Sequence, residues 1–205
     1  MSDIAQHIAV SDRVDIEDLD WELARKHGLT AREVESLTFF ADIESQPMYY
    51  FLEVAKLQVA RDPELLTFLT IWNYEEFFHG WTLTKLLGVC GTPLDRGRVA
   101  EVRRTSSLKE RLLALGAKIA SKLLPGDFIT LYMAWGAINE LTTLRGYEAI
   151  VRLTSNPVLK ELAARIAKQE RRHFAWYFNS AKQRLTVGEN RQRLVRWGLA
   201  HFWTP

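Results

Sequence analysis

The chain has 205 residues, 47% of them hydrophobic and 25% charged, with a formal net charge of +2. A chain of this length can bury one sizeable core, so we expect a single domain over 1–205, and the small net charge gives no indication of nucleic-acid binding. Cys90 is the only cysteine, which excludes an internal disulfide, a cysteine zinc site and a cysteine-held iron–sulfur cluster. The N-terminus does not have the pattern of a signal peptide and no apolar run is long enough to span a membrane, so we expect a cytoplasmic protein.

The N-terminal part of the chain predicts a polar arm followed by a long helix. Residues 1–20 are polar and acidic and are expected to form a loose arm. A capping box begins at Thr30, and apolar residues at helical spacing follow it, so a first helix is predicted over about 31–60. Pro47 lies inside that helix and is expected to kink it, because proline has no amide hydrogen to donate.

Cap residues followed by proline, together with glycine at helix ends, mark the later helices. No segment has the alternating pattern of a strand, so the expected fold class is all-α. The predicted elements are a second helix over 62–87, a crossover connection over 99–124, a third long helix beginning at 125, a fourth over about 157–185 and a basic C-terminal helix over 188–205.

Two Glu-x-x-His motifs carry the strongest chemical signal in the chain. Glutamate and histidine three residues apart on a helix project from the same face, so both can meet one metal ion. The helix before each motif carries one glutamate on an apolar face, and the spacing is similar in the two halves, from Glu44 to Glu76 and from Glu140 to Glu170. The candidate metal ligands are Glu44, Glu76, His79, Glu140, Glu170 and His173.

Four carboxylates directed into one core would repel each other, and burying them costs several kcal/mol each unless a cation neutralises them. Bound metal supplies that neutralisation. Oxygen-rich ligation with two imidazoles suits iron or manganese better than structural zinc. The sequence therefore predicts two metal ions, either two irons or manganese with iron, inside a bundle of four helices joined by one long crossover.

Four stretches of the sequence resemble the ferritin-like di-iron carboxylate proteins, and most closely the soluble acyl-carrier-protein desaturases. The first-helix glutamate followed by Pro-x-Tyr is found in Glu44-Ser45-Gln46-Pro47-Met48-Tyr49. The family's Trp and Glu-Glu-x-x-His-Gly pattern is similar to Trp72-Asn73-Tyr74-Glu75-Glu76-Phe77-Phe78-His79-Gly80. Asn139-Glu140-Leu141-Thr142-Thr143 and the final pair Glu170 and His173 complete the set, which covers roughly residues 37–180.

The resemblance implies a ferritin-like four-helix bundle with an extra C-terminal helix, and an activity in which iron and O2 remove hydrogen from a fatty-acyl substrate. It implies a catalytic role for the Thr143 hydroxyl, which could instead bond to a backbone carbonyl as helical threonines often do. It also implies an external electron donor, with Trp72 and Trp176 either delivering electrons or filling the core. We further expect a homodimer.

Two departures from the family pattern leave other functions open. Gln169 stands where the family generally has aspartate before the last glutamate, and the family's chains continue well beyond the fourth helix, whereas this one ends at Pro205. The alternatives are a ferritin-like ferroxidase or peroxide-scavenging protein, and a di-iron N-oxygenase or hydroxylase of a small substrate. Basic residues near the C-terminus could dock an acyl carrier protein or a membrane surface, or form a solvated helix face. They are Lys182, Arg184, Arg191, Arg193 and Arg196.

Overall fold

The protein is described from a computed structural model that covers residues 4–47, 51, 54, 62–95, 116 and 119–203. These described residues contain helices and no strand, which confirms the all-α class. The helices are α1 (Ile4–Val10), α2 (Trp21–His27), α3 (Ala31–Glu44), α4 (Pro63–Val89), α5 (Pro125–Leu153), α6 (Pro157–Leu185) and α7 (Glu189–Phe202). No helix within these ranges combines the length and the apolar character needed to cross a bilayer.

The predicted caps begin the long helices. Thr30 forms a complete capping box at α3, and Asp62 and Asn156 each accept two backbone N–H bonds at the starts of α4 and α6, with proline in the first turn. α4 ends at Val89, two residues beyond the predicted end, and α6 has the predicted bounds. The side-chain caps satisfy amides that the helix itself leaves unpaired, so the helix starts could be predicted locally.

The first predicted helix is interrupted where Pro47 was expected to disturb it. α3 ends at Glu44, and Ser45 and Gln46 form a turn before the backbone is helical again at Pro47. The Gln46 amide bonds to the Ile43 carbonyl at 3.0 Å, which closes a tight turn. Most of the predicted continuation to residue 60, and most of the predicted crossover over 99–124, lie outside the described residues.

The three longest helices, α4, α5 and α6, place the apolar core on both sides of a polar layer. Along α4 and α5 the second of two core clusters precedes the first, whereas along α6 the order is reversed. α4 and α5 therefore run in the same direction and α6 runs against them. The first cluster includes Leu37, Leu83, Leu144 and Leu162, and the second includes Leu69, Met133, Trp176 and Tyr177. Glu76, Glu140 and Glu170 fall between the two clusters on their helices.

Close helix contacts depend on small residues. Gly80 on α4 faces the end of α3, where an added Cβ would lie 3.1 Å from Ser45 Oγ and 3.3 Å from Glu44 Cβ. Gly136 on α5 lies against the Tyr177 ring of α6, 2.5 Å from where a Cβ would stand. These contacts bring α3 and α6 near enough to their neighbours for short carboxylate side chains to meet in the interior.

The prediction of a loose N-terminal arm is wrong. Val14 and Leu19 are buried, and α1 and α2 pack against the long helices. Arg165 of α6 makes two bonds to Asp18, at 2.5 and 2.8 Å, and a third to the Asp15 carbonyl. One of the acidic residues that suggested disorder, Asp18, thus pairs with Arg165, and the apolar residues Val14 and Leu19 enter the core.

Two of the basic residues that were expected to dock a partner are engaged within the chain. Arg191 on α7 bonds to Asp127 at 2.6 Å, and Arg184 lies 3.4 Å from Asp62. The Arg191 pair joins α7 to the first turn of α5, and the Arg184 pair joins the end of α6 to the cap of α4. Arg193 remains on the exposed face, 2.9 Å from Asn190.

Candidate metal centre

The six predicted ligand residues lie together in the interior. Glu44 is the last residue of α3, Glu76 and His79 lie in the middle of α4, and Glu140 lies in α5. Two more come from α6. All six side chains are buried, with exposed fractions of 6% or less: Glu44, Glu76, His79, Glu140, Glu170 and His173.

The cluster consists of two overlapping groups of possible ligands. The first is Glu44, Glu76, His79 and Glu170, and the second is Glu76, Glu140, Glu170 and His173. Within each group, one donor atom from every residue lies within 4.8 Å of the others. Glu76 and Glu170 belong to both groups, so each could bridge two positions. These buried groups could hold a metal ion.

The distances have the scale of a coordination shell. His79 Nδ1 lies 2.9 Å from Glu170 Oε1 and 3.7 Å from oxygens of Glu44 and Glu76. His173 Nδ1 lies 3.0 Å from Glu76 Oε1 and 3.6 Å from Glu140 Oε2. Ligands about 2.1 Å from one ion stand about 3 Å apart when adjacent and about 4.2 Å apart when opposite.

Several of these atoms make no hydrogen bond despite their short separations. Both histidine Nδ1 atoms, both oxygens of Glu170 and Glu76 Oε1 are buried without a hydrogen-bond partner. Buried polar atoms are normally paired, because an unpaired one retains its full desolvation cost. Donors that converge without bonding to one another fit a metal ion, so the residues present suit the group that the sequence predicts.

The outer nitrogens of the two histidines are held by residues that precede the motif glutamates. His173 Nε2 is 2.6 Å from Glu75 Oε2, and His79 Nε2 is 2.7 Å from Gln169 Oε1. Because both partner oxygens are acceptors, Nε2 carries the hydrogen and Nδ1 is left free to ligate. These roles of Glu75 and Gln169 are not among those predicted from the sequence. The feature of the sequence that could have indicated these roles is position, since each of the two residues directly precedes a motif glutamate.

Two further side chains orient the glutamates that belong to one group only. The Tyr147 hydroxyl donates to Glu44 Oε1 at 2.7 Å, and Trp72 Nε1 donates to Glu140 Oε1 at 2.9 Å. Each bond crosses between helices, from α5 to α3 and from α4 to α5. Trp72, considered above for electron delivery or core packing, thus positions a candidate ligand. No role for Tyr147 was predicted from the sequence.

The electrostatics indicate a cluster that holds protons when no metal is bound. Burial raises the pKa of Glu140 to about 8, and burial with the nearby charges of Glu44 and Glu170 raises the pKa of Glu76 well above its ordinary value. Burial alone would lower the pKa of His79, but the adjacent carboxylates of Glu170 and Glu44 raise it to about 10. The pKa of His173 is raised in the same way.

Glu75 and Glu170 are the carboxylates that this environment favours in the charged form. Burial pushes the pKa of Glu75 upward, but hydrogen bonding and charge from His173, with the charge of Arg172, bring it below its ordinary value. Burial also acts against ionisation of Glu170, and its contacts with the two histidines outweigh that effect and lower its pKa. The cluster therefore pairs protonated histidines with a small number of anions.

Thr143 and Trp176 lie close to the cluster residues along their helices. Thr143 follows Glu140 by one turn and is half-buried, and its hydroxyl makes no hydrogen bond to any of the six residues. Trp176 stacks on Phe68 with ring centroids 3.7 Å apart, and its Nε1 is buried without a hydrogen-bond partner. The stacking makes Trp176 part of the second core cluster.

Comparison with known proteins leaves the site to be interpreted from its own residues. No protein-family model, no curated protein and no solved structure matches the chain. The fold and the site together define an all-α protein with a buried cluster of carboxylates and imidazoles that could hold a metal ion.

Proposed function

We propose that the cluster binds two transition-metal ions, two irons or manganese with iron, and that the loaded protein is an O2-activating oxidoreductase. The observation that carries this proposal is the pair of overlapping ligand groups that share Glu76 and Glu170. Two shared carboxylates with one histidine on each side suit two neighbouring ions. An oxygen-rich donor set with only two imidazoles favours iron or manganese over zinc.

The helix directions support a ferritin-like four-helix bundle. α4 and α5 run in the same direction, which is the relation that these two helices have in a bundle with one long crossover connection. Each half then supplies a helix with one glutamate and a helix with Glu-x-x-His. α7 is the extra C-terminal helix in this scheme.

The iron pair would supply O2 activation and the oxidation of a C–H bond, and the chain's residues prepare the site for it. The two core clusters exclude water from both sides of the polar layer, and Tyr147 and Trp72 fix the directions of Glu44 and Glu140. Thr143 offers a hydroxyl one turn from Glu140 that can accept and donate a proton beside the cluster. We assign the electrons to an external donor, since one cysteine cannot form a four-cysteine iron site in this chain.

We propose a fatty-acyl chain as the substrate. The motif resemblance to acyl-carrier-protein desaturases is the first support. The second is an apolar groove of about 580 Å³ between α5, α6 and α7, lined by residues that include Ile138, Leu141, Phe174 and Phe178. Lys182 stands in its wall and could meet an anionic group of the substrate or its carrier. Phe174 follows His173 directly on α6, so one residue of the groove wall is the sequence neighbour of a candidate ligand.

One observation favours a second candidate, a ferroxidase or peroxide-scavenging protein. None of the six cluster residues is among those that line the groove. A reaction confined to the metal ions and O2 or peroxide needs no apolar channel, whereas a long-chain substrate must reach the cluster. The two candidates therefore differ in whether an organic molecule is consumed.

Turnover of a labelled substrate distinguishes them. The apoprotein is loaded with ferrous iron without oxygen, then given O2, a reductant and an acyl chain labelled with deuterium on a carrier protein. We expect loss of hydrogen from the acyl chain together with O2 consumption. Rapid formation of ferric iron with an unchanged acyl chain would instead support the ferroxidase, and failure to bind iron would refute both.

Replacing Thr143 by alanine tests the role of its hydroxyl. If the hydroxyl takes part in proton transfer, Thr143→Ala should lower the rate of O2 consumption about 10²-fold, with metal content unchanged. Thr142→Ala is the matched control, because Thr142 is exposed and its hydroxyl bonds to the Ile138 carbonyl. Equal rates for the two variants in single-turnover measurements would show that the Thr143 hydroxyl has no part in the reaction.

A further inference from the structure

The two histidines of the cluster are held by partners of different charge. The contacts cross between helices, because Glu75 on α4 holds His173 on α6, and Gln169 on α6 holds His79 on α4. Glu75 and Gln169 occupy equivalent positions, each one residue before a motif glutamate. The six candidate ligands are thus arranged nearly symmetrically, whereas the residues that hold the two histidines differ, a carboxylate for His173 and an amide for His79.

Asp12, in the N-terminal segment, contacts both of these partner residues through its main chain. The Asp12 amide donates to Glu75 Oε1 at 3.1 Å, and the Asp12 carbonyl accepts from Gln169 Nε2 at 2.8 Å. A carboxylate can only accept a hydrogen bond, so it fits the amide side of Asp12. A side-chain amide can also donate, so glutamine fits the carbonyl side. The Asp12 amide thus needs an acceptor, which the Glu75 carboxylate provides, and the Asp12 carbonyl needs a donor, which glutamine provides at residue 169 and an ionised carboxylate could not.

The segment around Asp12 is fixed by contacts on both sides. Before it, the His7 ring packs on Phe68, with centroids 5.1 Å apart. After it, Val14 is buried and Asp18 pairs with Arg165. A main chain anchored on both sides can hold its amide and carbonyl in constant directions, which a free arm could not do.

The different partners should give the two histidines different strength as ligands. A charged carboxylate that accepts from Nε2 makes the imidazole more basic and its Nδ1 a stronger donor than a neutral amide does. Arg172 bonds to Glu75 Oε1 at 2.7 Å and leaves Oε2 to His173. No such anion lies behind His79 in the contacts of Gln169.

We propose that the two metal positions are inequivalent and fill in order, the His173 position first, with Glu75, Gln169 and the Asp12 main chain acting as the positioning groups. This inference rests on the proposed function only in requiring that the cluster bind two ions. It assigns a role to the residue at which the chain departs from the desaturase pattern, since Gln169 matches the Asp12 carbonyl.

Titration of the full-length apoprotein with Co²⁺ tests the order. Calorimetry and the visible absorption of bound Co²⁺ should show two steps that differ at least about 10-fold in affinity, the range over which outer hydrogen-bond partners affect metal binding. Glu75→Gln should weaken the tighter step by about 10- to 100-fold, and Gln169→Leu should weaken only the looser step.

Removing one ligand at a time assigns each step to a position. Glu140→Ala should leave one loose step at the His79 position, and Glu44→Ala should leave one tight step at the His173 position. The reverse pattern would overturn the proposed order, and so would two equal steps in the wild-type protein, while two bound ions would still agree with the proposed function. Failure to bind Co²⁺ at all would refute both.

A pair of substitutions at residue 12 separates its main chain from its side chain. Asp12→Ala keeps the amide and the carbonyl, so both steps should remain as in the wild-type protein. Asp12→Pro removes the amide hydrogen that Glu75 accepts, so the tighter step alone should weaken, with the helical circular dichroism of the apoprotein as a check on folding. Equal effects of these two variants would exclude the main-chain role.

Discussion

Glu170→Ala should abolish stable binding of both metal ions, a larger effect than is expected from the four ligand residues that belong to one group only. Glu170 belongs to both ligand groups, and its Oε1 lies 2.9 Å from His79 Nδ1 and 3.8 Å from His173 Nδ1. Removing it takes one ligand from each position at once. Metal analysis after dialysis against a weak chelator should give less than about one-tenth of the wild-type content if loss of a direct ligand costs at least as much as loss of an outer partner.

The controls separate loss of ligation from loss of fold. Glu161→Ala lies on the same helix, and Glu161 is an exposed residue that pairs with Arg165, so metal content should not change. Glu170→Gln keeps the volume of the side chain and removes its charge, and it should also lose metal. Retention of two ions per chain by Glu170→Gln would show that this carboxylate is not a shared ligand. Glu140→Ala should remove one position rather than two.

The parts of the structure that could be predicted from the sequence depend on short-range rules. The caps at Thr30, Asp62 and Asn156 act within three residues of the chain, so the starts of α3, α4 and α6 follow from a few side chains. The Glu-x-x-His spacing likewise defines a helix face without knowledge of the partner helices. All six candidate ligands can therefore be predicted from the sequence alone.

The supporting residues could not be found in that way. Glu75 and Gln169 point about a quarter turn away from the motif glutamates, and their roles depend on how α4 lies against α6. Asp12 contributes through its main-chain amide and carbonyl, which every residue except proline has, so the residue type at position 12 does not indicate this role. The acidic character of residues 1–20 suggested a loose arm because the partner of Asp18, the distant Arg165, could not be inferred locally.

The free energy of unfolding of the apoprotein should decrease as the pH rises from about 6.5 to 8. The folded cluster keeps protons that the unfolded chain releases, because the pKa of His79 is raised from 6.5 to about 10 and that of Glu140 from 4.5 to about 8. The folded state therefore binds more protons in this range. Each extra proton lowers stability by about 1.4 kcal/mol per pH unit. Urea unfolding at several pH values measures the slope.

The sign of this effect is not reversed by the other buried groups. Glu75 and Glu170 have lowered pKa values, so the stability that they contribute is complete above about pH 4.5 and is lost only at lower pH. His7, whose pKa is lowered to about 4, is neutral in both states above its unfolded value of 6.5. Across the range from 6.5 to 8 the slope thus reports the protons held by the cluster.

Bound metal should abolish the decrease in the free energy of unfolding between pH 6.5 and 8. Metal ligation uses the deprotonated groups and displaces the same protons. Affinity for the metal then rises with pH while the apoprotein loses stability, so the loaded and metal-free proteins should diverge most at pH 8. Glu140→Gln provides the control: it removes one titrating group and should reduce the apoprotein slope by about 1.4 kcal/mol per pH unit. An apoprotein whose stability is constant from pH 6.5 to 8 would show that His79 and Glu140 do not keep extra protons in the folded state, and the charge balance proposed for metal binding would then be wrong.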